Sequence, residues 1–171
     1  MQMNINVSYA QIAGGNVEDD IIETIKEYAL DPANICVEMT ESRLIDMTIP
    51  FIRFRHKLKD SRIRFAIDDF GTGYSNLHCI NDIKPDYIKI DRDFTVKAMN
   101  GQRDYELLKS IITMIHSVNA KICIEGIEQR EWRQEMEKMG ADSLQGYFYG
   151  RPCNKTDFMS NYIRGAYICR S

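Results

Sequence analysis

Short strand-like segments alternate with amphipathic helical segments along the whole chain. Strands separated by helices of this length are typical of βαβ units, in which successive strands lie parallel in one sheet. The clearest helical pattern lies within 103–118, where apolar residues recur on one helix face. We therefore predict an α/β fold built on a parallel sheet. The residues that form the apolar face are Tyr105, Leu108, Ile112 and Ile115.

The predicted elements follow one another as strand, helix and strand. Asn16 is predicted to cap the first helix, Pro50 to lie in the first turn of the second, and Gly140 to end the fifth. Helices are predicted at 16–30, 50–58, 75–80, 103–118 and 131–139, with a last one beginning near Thr156. Strands are predicted at 3–8, 34–39, 62–68, 87–91, 121–125 and 143–145, and an extension of the last through 150 is left open.

The length of the chain limits how much of a large α/β fold it can hold. It has 171 residues, of which 44% are hydrophobic and 27% charged, as in an ordinary globular domain. We expect a single domain over 1–171. A complete (β/α)₈ barrel usually needs about 250 residues and rarely fewer than about 200, so a full barrel does not fit.

The composition of the chain also limits which partners it can bind and in which cellular compartment it is expected. Lysine and arginine number 22 against 25 acidic residues, and the net charge of −3 argues against binding to a nucleic-acid polymer. No apolar run approaches the roughly 20 residues of a membrane span, and the first ten residues lack the pattern of a signal peptide. The five cysteines are odd in number and far apart, which indicates a reducing compartment. We therefore expect the cytoplasm.

Polar residues recur where the predicted strands end. In parallel α/β folds the carboxyl ends of the strands meet at one edge, where active sites are built. A single such residue is equally well explained as a helix cap or as part of a solvated loop. This explanation does not account for polar residues at the same edge of six different strands. These residues are Asn6, Glu38, Asp68, Asp69, Lys89, Glu125 and Gln145.

Charge points to the chemistry of this edge. Four converging carboxylates repel one another, and a divalent cation relieves the repulsion. Carboxylate oxygens, with a carbonyl oxygen from Asn6, suit Mg²⁺ or Mn²⁺. Lys89 would add one positive charge able to hold an anionic oxygen or orient a water. Such a site matches phosphodiester hydrolysis with one or two metal ions.

Adjacent Asp68 and Asp69 pose a geometric problem, because neighbours in a regular strand point to opposite faces. We expect both to face the site only if the strand ends there and the chain turns. The following residues 70–73 include Gly71 and Gly73, which tolerate positive φ and would allow that turn.

Six motifs resemble the EAL-domain family, the bacterial cyclic di-GMP phosphodiesterases. The run DDFGTGYSNL at 68–77 is the most specific of them. The resemblance extends over about 4–158, and both order and spacing agree. The other motifs are NVS at 6–8, EMTE at 38–41, IKID at 88–91, EGIE at 125–128 and QGY at 145–147 followed by Arg151-Pro152.

The resemblance implies a TIM-like barrel with one antiparallel strand and hydrolysis of cyclic di-GMP to linear pGpG with Mg²⁺ or Mn²⁺. By resemblance, Asn6, Glu38, Asp68 and Glu125 are metal ligands and Asp69 binds the second metal. Lys89 contacts the nucleophilic water, Gln145 supports that water, and Glu41 anchors the loop after Asp69. That loop also contributes to dimerisation in the family. Its residues here are Phe70, Gly71, Thr72, Gly73, Tyr74 and Ser75.

The Glu-Ala-Leu motif that names the family does not occur in the sequence. In the family it lies upstream of the position of Asn6 and supplies a further metal-ligand glutamate. Either the sequence is a piece of a longer protein or the natural protein has lost this segment, and we favour the first. Whether this chain itself turns over substrate is left open by the sequence.

We therefore expect an incomplete (β/α)₈ barrel that lacks its first strand and at least one helix. Exposed sheet edges invite pairing, so we expect a homodimer or a gap filled by rearranged segments. The leading function is metal-dependent phosphodiester hydrolysis by the parent domain. The alternative is a non-catalytic cyclic di-GMP receptor or protein-interaction module. In the full-length protein, sensory or GGDEF domains could accompany this one. We expect that protein to be bacterial, with this domain in the cytoplasm as part of a larger or membrane-tethered protein.

Overall fold

The computed structural model describes residues 2–40, 48–72 and 77–164. A 3₁₀ turn lies at Pro32–Asn34, and a π-helical segment at Met159–Arg164 follows the last helix. The strands are β1 (Met3–Asn6), β2 (Ile35–Thr40), β3 (Arg64–Phe70), β4 (Tyr87–Ile90), β5 (Lys121–Ile124) and β6 (Ser143–Leu144). The helices are α1 (Tyr9–Gly14), α2 (Val17–Glu27), α3 (Ile49–Asp60), α4 (Leu77–Ile83), α5 (Arg92–Asn100), α6 (Gln102–Ser117), α7 (Arg130–Met139) and α8 (Lys155–Phe158).

The six strands form one sheet in the order β1-β2-β3-β4-β5-β6, and all five pairings are parallel. The predicted α/β fold with a parallel sheet is confirmed. A closed barrel of this type has eight strands, whereas here β1 and β6 are the two edges of the sheet. The antiparallel strand implied by the resemblance is not among the strands described.

The two faces of the sheet differ in chemistry because side chains alternate along each strand. One face is apolar and packs under the helices, with Phe65, Ile67, Ile88 and Ile122 almost fully buried. The other face is largely polar. It lines a cavity of about 290 Å³ whose walls include Asn4, Cys36, Glu38, Lys89, Cys123 and Gln145. The helices thus cover one face and leave the other for the site.

The helices end in a repeated turn that sets where each following strand begins. At four helix ends one residue adopts a left-handed conformation, and the next amide donates back to the carbonyl five residues earlier. This is the Schellman arrangement, in which glycine is the usual left-handed residue. Only one of the four is glycine. The left-handed residues are Ala29, Arg62, Asn119 and Gly140, with φ of 50°, 60°, 60° and 96°.

Two aspartates fix the register at the amino-terminal ends of the strands. Asp86 accepts a hydrogen bond from the Phe65 amide at 2.8 Å. Asp142 accepts one from the Ile122 amide at 2.8 Å and contacts His116 at 2.9 Å. Burial alone would raise the pKa of Asp142, but the hydrogen bonds from Ile122 and His116 prevail and lower it. Each carboxylate thus satisfies an amide that the neighbouring strand leaves unpaired.

Several sequence expectations need correction in detail. Helices α1 and α5 were not predicted: Ser8 and Asp91, assigned to strands, instead cap them. Ser8 forms a capping box with Gln11, a signal that was present in the sequence. Asn16 precedes α2 as predicted, but its side chain makes no capping hydrogen bond. The last strand ends at Leu144 and does not extend through 150. No helix within the described segments is long and apolar enough to cross a bilayer.

We predict that Ala29→Gly stabilises the protein by about 1 kcal/mol. A non-glycine residue pays roughly 1–2 kcal/mol in the left-handed region, which exceeds the entropic cost of glycine. The same change at Ala10, an exposed position inside α1, should destabilise by about 0.5–1 kcal/mol. Urea denaturation measures both variants. If both substitutions changed the free energy of unfolding in the same direction, the left-handed conformation assigned to Ala29 would be contradicted.

We also predict that Asp142→Asn lowers the free energy of unfolding by about 1 kcal/mol at neutral pH. Because the pKa of Asp142 is lowered by folding, its contribution is present above the ordinary value of 3.8 and is lost as pH falls through the folded value. The two proteins should therefore converge in stability as pH falls below 3.8 and through the lowered folded value. Urea denaturation across pH tests this, with Asp60→Asn, an exposed carboxylate, as the control. A pH-independent difference would contradict the prediction.

Candidate functional site

Lys89 lies at the centre of the polar face, with its ammonium between carboxylates from three different strand ends. Its Nζ lies 3.0 Å from Glu38, 2.9 Å from Asp68 and 2.7 Å from Glu125. The Lys89 residue is 5% exposed and Glu38 is 3% exposed, so these charges are held away from water. A buried ammonium is tolerated only with such partners. The arrangement brings together the ends of β2, β3, β4 and β5.

A second grouping overlaps the first. Carboxylate oxygens of Asp68, Asp69 and Glu125, here called the acidic trio, lie within 4.8 Å of one another. This spacing suits a single cation with oxygen ligands about 2.0–2.6 Å away. The trio contains no thiolate or imidazole, so its donors are those that Mg²⁺ and Mn²⁺ prefer. The donor set therefore fits a hard divalent metal ion.

A β-bulge brings both adjacent aspartates toward the site. Ile67 pairs with Ile88 and Phe70 pairs with Ile90, so Asp68 and Asp69 together lie opposite the single residue Lys89. Asp69 adopts a left-handed conformation with φ of 55°. We expected the strand to end at the two aspartates and the chain to turn at the glycines. This is wrong, because β3 continues through both aspartates to Phe70. The bulge, and not a chain turn, overcomes the strand alternation.

The charged groups perturb one another strongly. Burial raises the pKa of Glu38 and of Glu125, and the nearby Lys89 only partly offsets this. Burial also raises the pKa of Asp69, and the negative charges of Asp68 and Asp91 add to the effect. For Lys89, burial would lower the pKa, but hydrogen bonds to Glu125 and Asp68 raise it above its ordinary value. One lysine therefore does not satisfy the carboxylates around it.

Two predicted residues lie at this edge without a described side-chain contact. Asn6 ends β1 and pairs in register with Glu38, but the amide that reaches the Glu38 carboxylate is that of Asn4, at 2.6 Å. Sequence reasoning missed Asn4. Residues two positions apart on one strand share a face, and this was the signal available in the sequence.

Gln145 follows β6 and lines the same cavity as Glu38 and Lys89.

Two glycines let the loops after β5 and β6 approach closely. A side chain at Gly146 would collide with the backbone of Ile127, whose amide donates to the Gln145 carbonyl at 3.0 Å. Gly126 has φ of 75° and lies against the side chain of Arg92. These contacts fix the positions of Glu125 and Gln145 relative to each other.

The loop assigned to site and dimer interface is described only in part. Phe70 is buried at the end of β3, and the Thr72 hydroxyl donates to the Asp69 carbonyl at 2.9 Å. Gly71 has φ of 97° and packs on the ring of Phe94. The remaining predicted residues, Gly73, Tyr74, Ser75 and Glu41, lie outside the described residues.

A model of the EAL domain matches residues 1–152. The chain belongs to the EAL domain family. It is 29% identical over 148 residues to MucR of Pseudomonas aeruginosa, described as a bifunctional diguanylate cyclase/cyclic di-GMP phosphodiesterase; the match covers 86% of this chain and 22% of MucR. The chain spans about a fifth of the length of the curated relatives it matches. The family predicted from the motifs is confirmed.

Solved structures of EAL proteins share this fold. The EAL enzyme Bd1971, in a form bound to cAMP and cyclic di-GMP, superposes with a TM-score of 0.87 at 29% identity over 93% of this chain and 42% of that one. Klebsiella pneumoniae BlrP1, in a manganese and cyclic di-GMP complex, superposes with a TM-score of 0.81 at 24% identity over 89% of this chain and 39% of that one. The TIM-like α/β architecture is thereby confirmed.

We predict that Lys89→Met destabilises the protein by about 3 kcal/mol or more, because it leaves three largely buried carboxylates without their cation. Lys109→Met, an exposed change on α6, should alter stability by less than about 0.5 kcal/mol. Urea denaturation in the presence of EDTA measures both. A Lys89→Met variant as stable as the wild type would show that the three ion pairs do not hold the site together.

Proposed function

We propose that this chain forms most of the catalytic barrel of a metal-dependent phosphodiesterase that hydrolyses cyclic di-GMP to linear pGpG. The observation that carries the proposal is the convergence of Glu38, Asp68 and Glu125 on Lys89 at the carboxyl edge of the sheet. Membership of the EAL family supports the substrate class, since relatives such as MucR are named as cyclic di-GMP phosphodiesterases.

The acidic residues would hold Mg²⁺ or Mn²⁺. Asn6, Glu38, Asp68 and Glu125 are proposed as ligands of one ion, and Asp69 as a ligand of a second. When bound, the metal ions acidify the attacking water and neutralise charge that develops on the phosphate. The fit rests on the oxygen-only donor set of the acidic trio and on the excess of carboxylates over the single nearby lysine.

The remaining steps belong to side chains of this chain. Lys89, whose ammonium contacts three carboxylates, is proposed to orient the attacking water or to hold an anionic oxygen. Attack on phosphorus forms a bond to the water oxygen and breaks one phosphorus–oxygen ester bond. The released ribose oxygen takes up a proton and becomes a hydroxyl of the linear dinucleotide. The carboxylates at this edge are the groups able to take the proton of the water. Gln145 is proposed to support that water, and Glu41 to anchor the loop after Asp69.

Assembly is also part of the proposal. The open edges at β1 and β6 favour pairing with another chain, and the loop at 70–75 would contribute to a homodimer. A monomer in light scattering would contradict the dimer. We further propose that the chain acts in the bacterial cytoplasm as part of a larger or membrane-tethered protein. Its relatives are several times longer, and one is also named a diguanylate cyclase.

The decisive experiment is incubation of the chain with cyclic di-GMP and Mn²⁺, followed by chromatography for pGpG. Turnover that Asp68→Ala reduces about 1,000-fold or more, because a metal ligand is lost, would establish catalysis by this chain. Mn²⁺ should raise the melting temperature of the wild type and not that of Asp68→Ala. Asp60→Ala, an exposed change at the end of α3, is the control.

The same assay decides the alternative function. Binding of cyclic di-GMP without turnover would establish a receptor and overturn catalysis by this chain. Neither binding nor turnover would overturn both functions. Turnover unaffected by Asp68→Ala would refute the proposed metal site while leaving the substrate in place.

A further inference from the structure

The amino-terminal edge of the sheet, opposite the acidic site, carries two adjoining cavities. One of about 690 Å³ lies between α4 and the turn before β5, and one of about 550 Å³ lies between α3 and α4. The two share Arg64, Lys84 and Asp86 as lining residues, so they form one continuous depression, here called the basic groove. Volumes of this size are typical of small-molecule sites.

The basic groove concentrates positive charge in a protein of net charge −3. Six cationic side chains line it, against the two carboxylates of Asp82 and Asp86. Asp86 is already engaged, because it accepts the amide hydrogen bond of Phe65 at 2.8 Å. The six are Arg55, Lys59, Arg62, Arg64, Lys84 and Lys121.

None of these six cations forms a salt bridge with any described residue. Cations elsewhere on the surface, such as Lys57, Arg92 and Arg133, do pair with carboxylates. Unpaired like charges around one depression repel one another and raise its electrostatic potential. The groove therefore carries more positive charge than Asp82 and Asp86 neutralise.

Arg55 strengthens this conclusion. Its guanidinium lies 4.3 Å from the Phe65 ring centroid, and Nη2 donates to the carbonyls of Ile83 and Lys84. Its Nε and Nη1 are buried with no hydrogen-bond partner among the described residues. Burial lowers the pKa of Arg55, which reports the cost of keeping this charge out of water. A nearby anion would offset that cost.

Tyr87 fixes the cations on the other side of the groove. Arg64 and Lys121 each lie 5.9 Å from its ring centroid, and Arg64 donates to the Gln2 side chain at 2.8 Å. The hydrogen bond to Gln2 restricts the Arg64 guanidinium, and a restricted cation binds an anion at a lower entropic cost than a free one does. Three arginines among the six cations favour phosphate, whose oxygens accept the paired hydrogen bonds of a guanidinium.

We propose that the basic groove is a second ligand site that binds a small molecule carrying at least two linked phosphate groups. The number of cations exceeds what a single phosphate needs, and volumes of about 690 and 550 Å³ are of the size that holds a small molecule. The site lies at the opposite end of the strands from Asp68 and Glu125, so it stands independently of the proposed catalytic function.

The probe is inorganic pyrophosphate, titrated into the chain in EDTA at low salt, so that metal-dependent binding at the acidic edge is excluded. Calorimetry should give saturable binding with one site. Amide shifts in a nitrogen–proton spectrum should change around 55–64 and 82–87 and not around Glu38 or Glu125. Arg62→Ala with Lys84→Ala should weaken binding about tenfold, since each exposed charge pair contributes up to about 1 kcal/mol.

Lys26→Ala with Lys109→Ala, at two exposed positions outside the groove, is the charge-matched control and should bind as the wild type does. Melting temperature checks that the double variant is folded. Absence of saturable binding, or shifts confined to the acidic edge, would overturn the proposal. Equal affinity for citrate would overturn the phosphate class, and tighter binding of a nucleoside triphosphate than of inorganic triphosphate would identify a nucleotide as the source of the phosphates.

Discussion

The architecture of the site depends on one buried cation. Removing an ammonium from water costs several kcal/mol, and Lys89 recovers this only because three carboxylates lie within 3.0 Å of it. Glu38, Asp68 and Glu125 come from three different strand ends, so their convergence requires the register of four strands at once. The same residues remain in excess of the charge that neutralises them, which is the condition for holding a divalent metal ion.

Strand alternation and its one local exception build this arrangement. Alternation sends Phe65 and Ile67 into the helical layer and leaves the polar face for Glu38 and Lys89. A regular strand would then turn Asp69 away. The bulge opposite Lys89 costs backbone strain at Asp69, whose φ is 55°, and in return adds a third carboxylate to the acidic trio. Local strain is thus concentrated where the chemistry is proposed.

Sequence reasoning reached the parallel sheet and the convergence of carboxylates on Lys89 for the same physical reason: strand periodicity fixes which side chains share a face, and parallel strands bring their ends to one edge. It missed what periodicity does not encode. Asn4 and Asn6 share one strand face, and Asn6 is the residue in register with Glu38, yet it is the Asn4 amide that reaches the Glu38 carboxylate. Likewise, the left-handed conformation of Arg62 was not predicted, because glycine is the usual signal and tertiary packing imposes the turn here.

The two ends of the sheet carry opposite charge, and they do not neutralise each other. From Arg64 to Asp68 the chain advances four residues, which spans about 13 Å along a strand. For charges that face solvent, this exceeds the screening length of roughly 8–10 Å in physiological salt, so the exposed cations of the basic groove gain little from the acidic edge. Each end must therefore find its own counter-charge. At the acidic edge Lys89 supplies part of it from within the chain, whereas the described chain supplies no salt-bridge partner to Arg55, Arg64 or Lys84. The same electrostatic argument that predicts a cation at one end of the strands thus predicts an anion at the other.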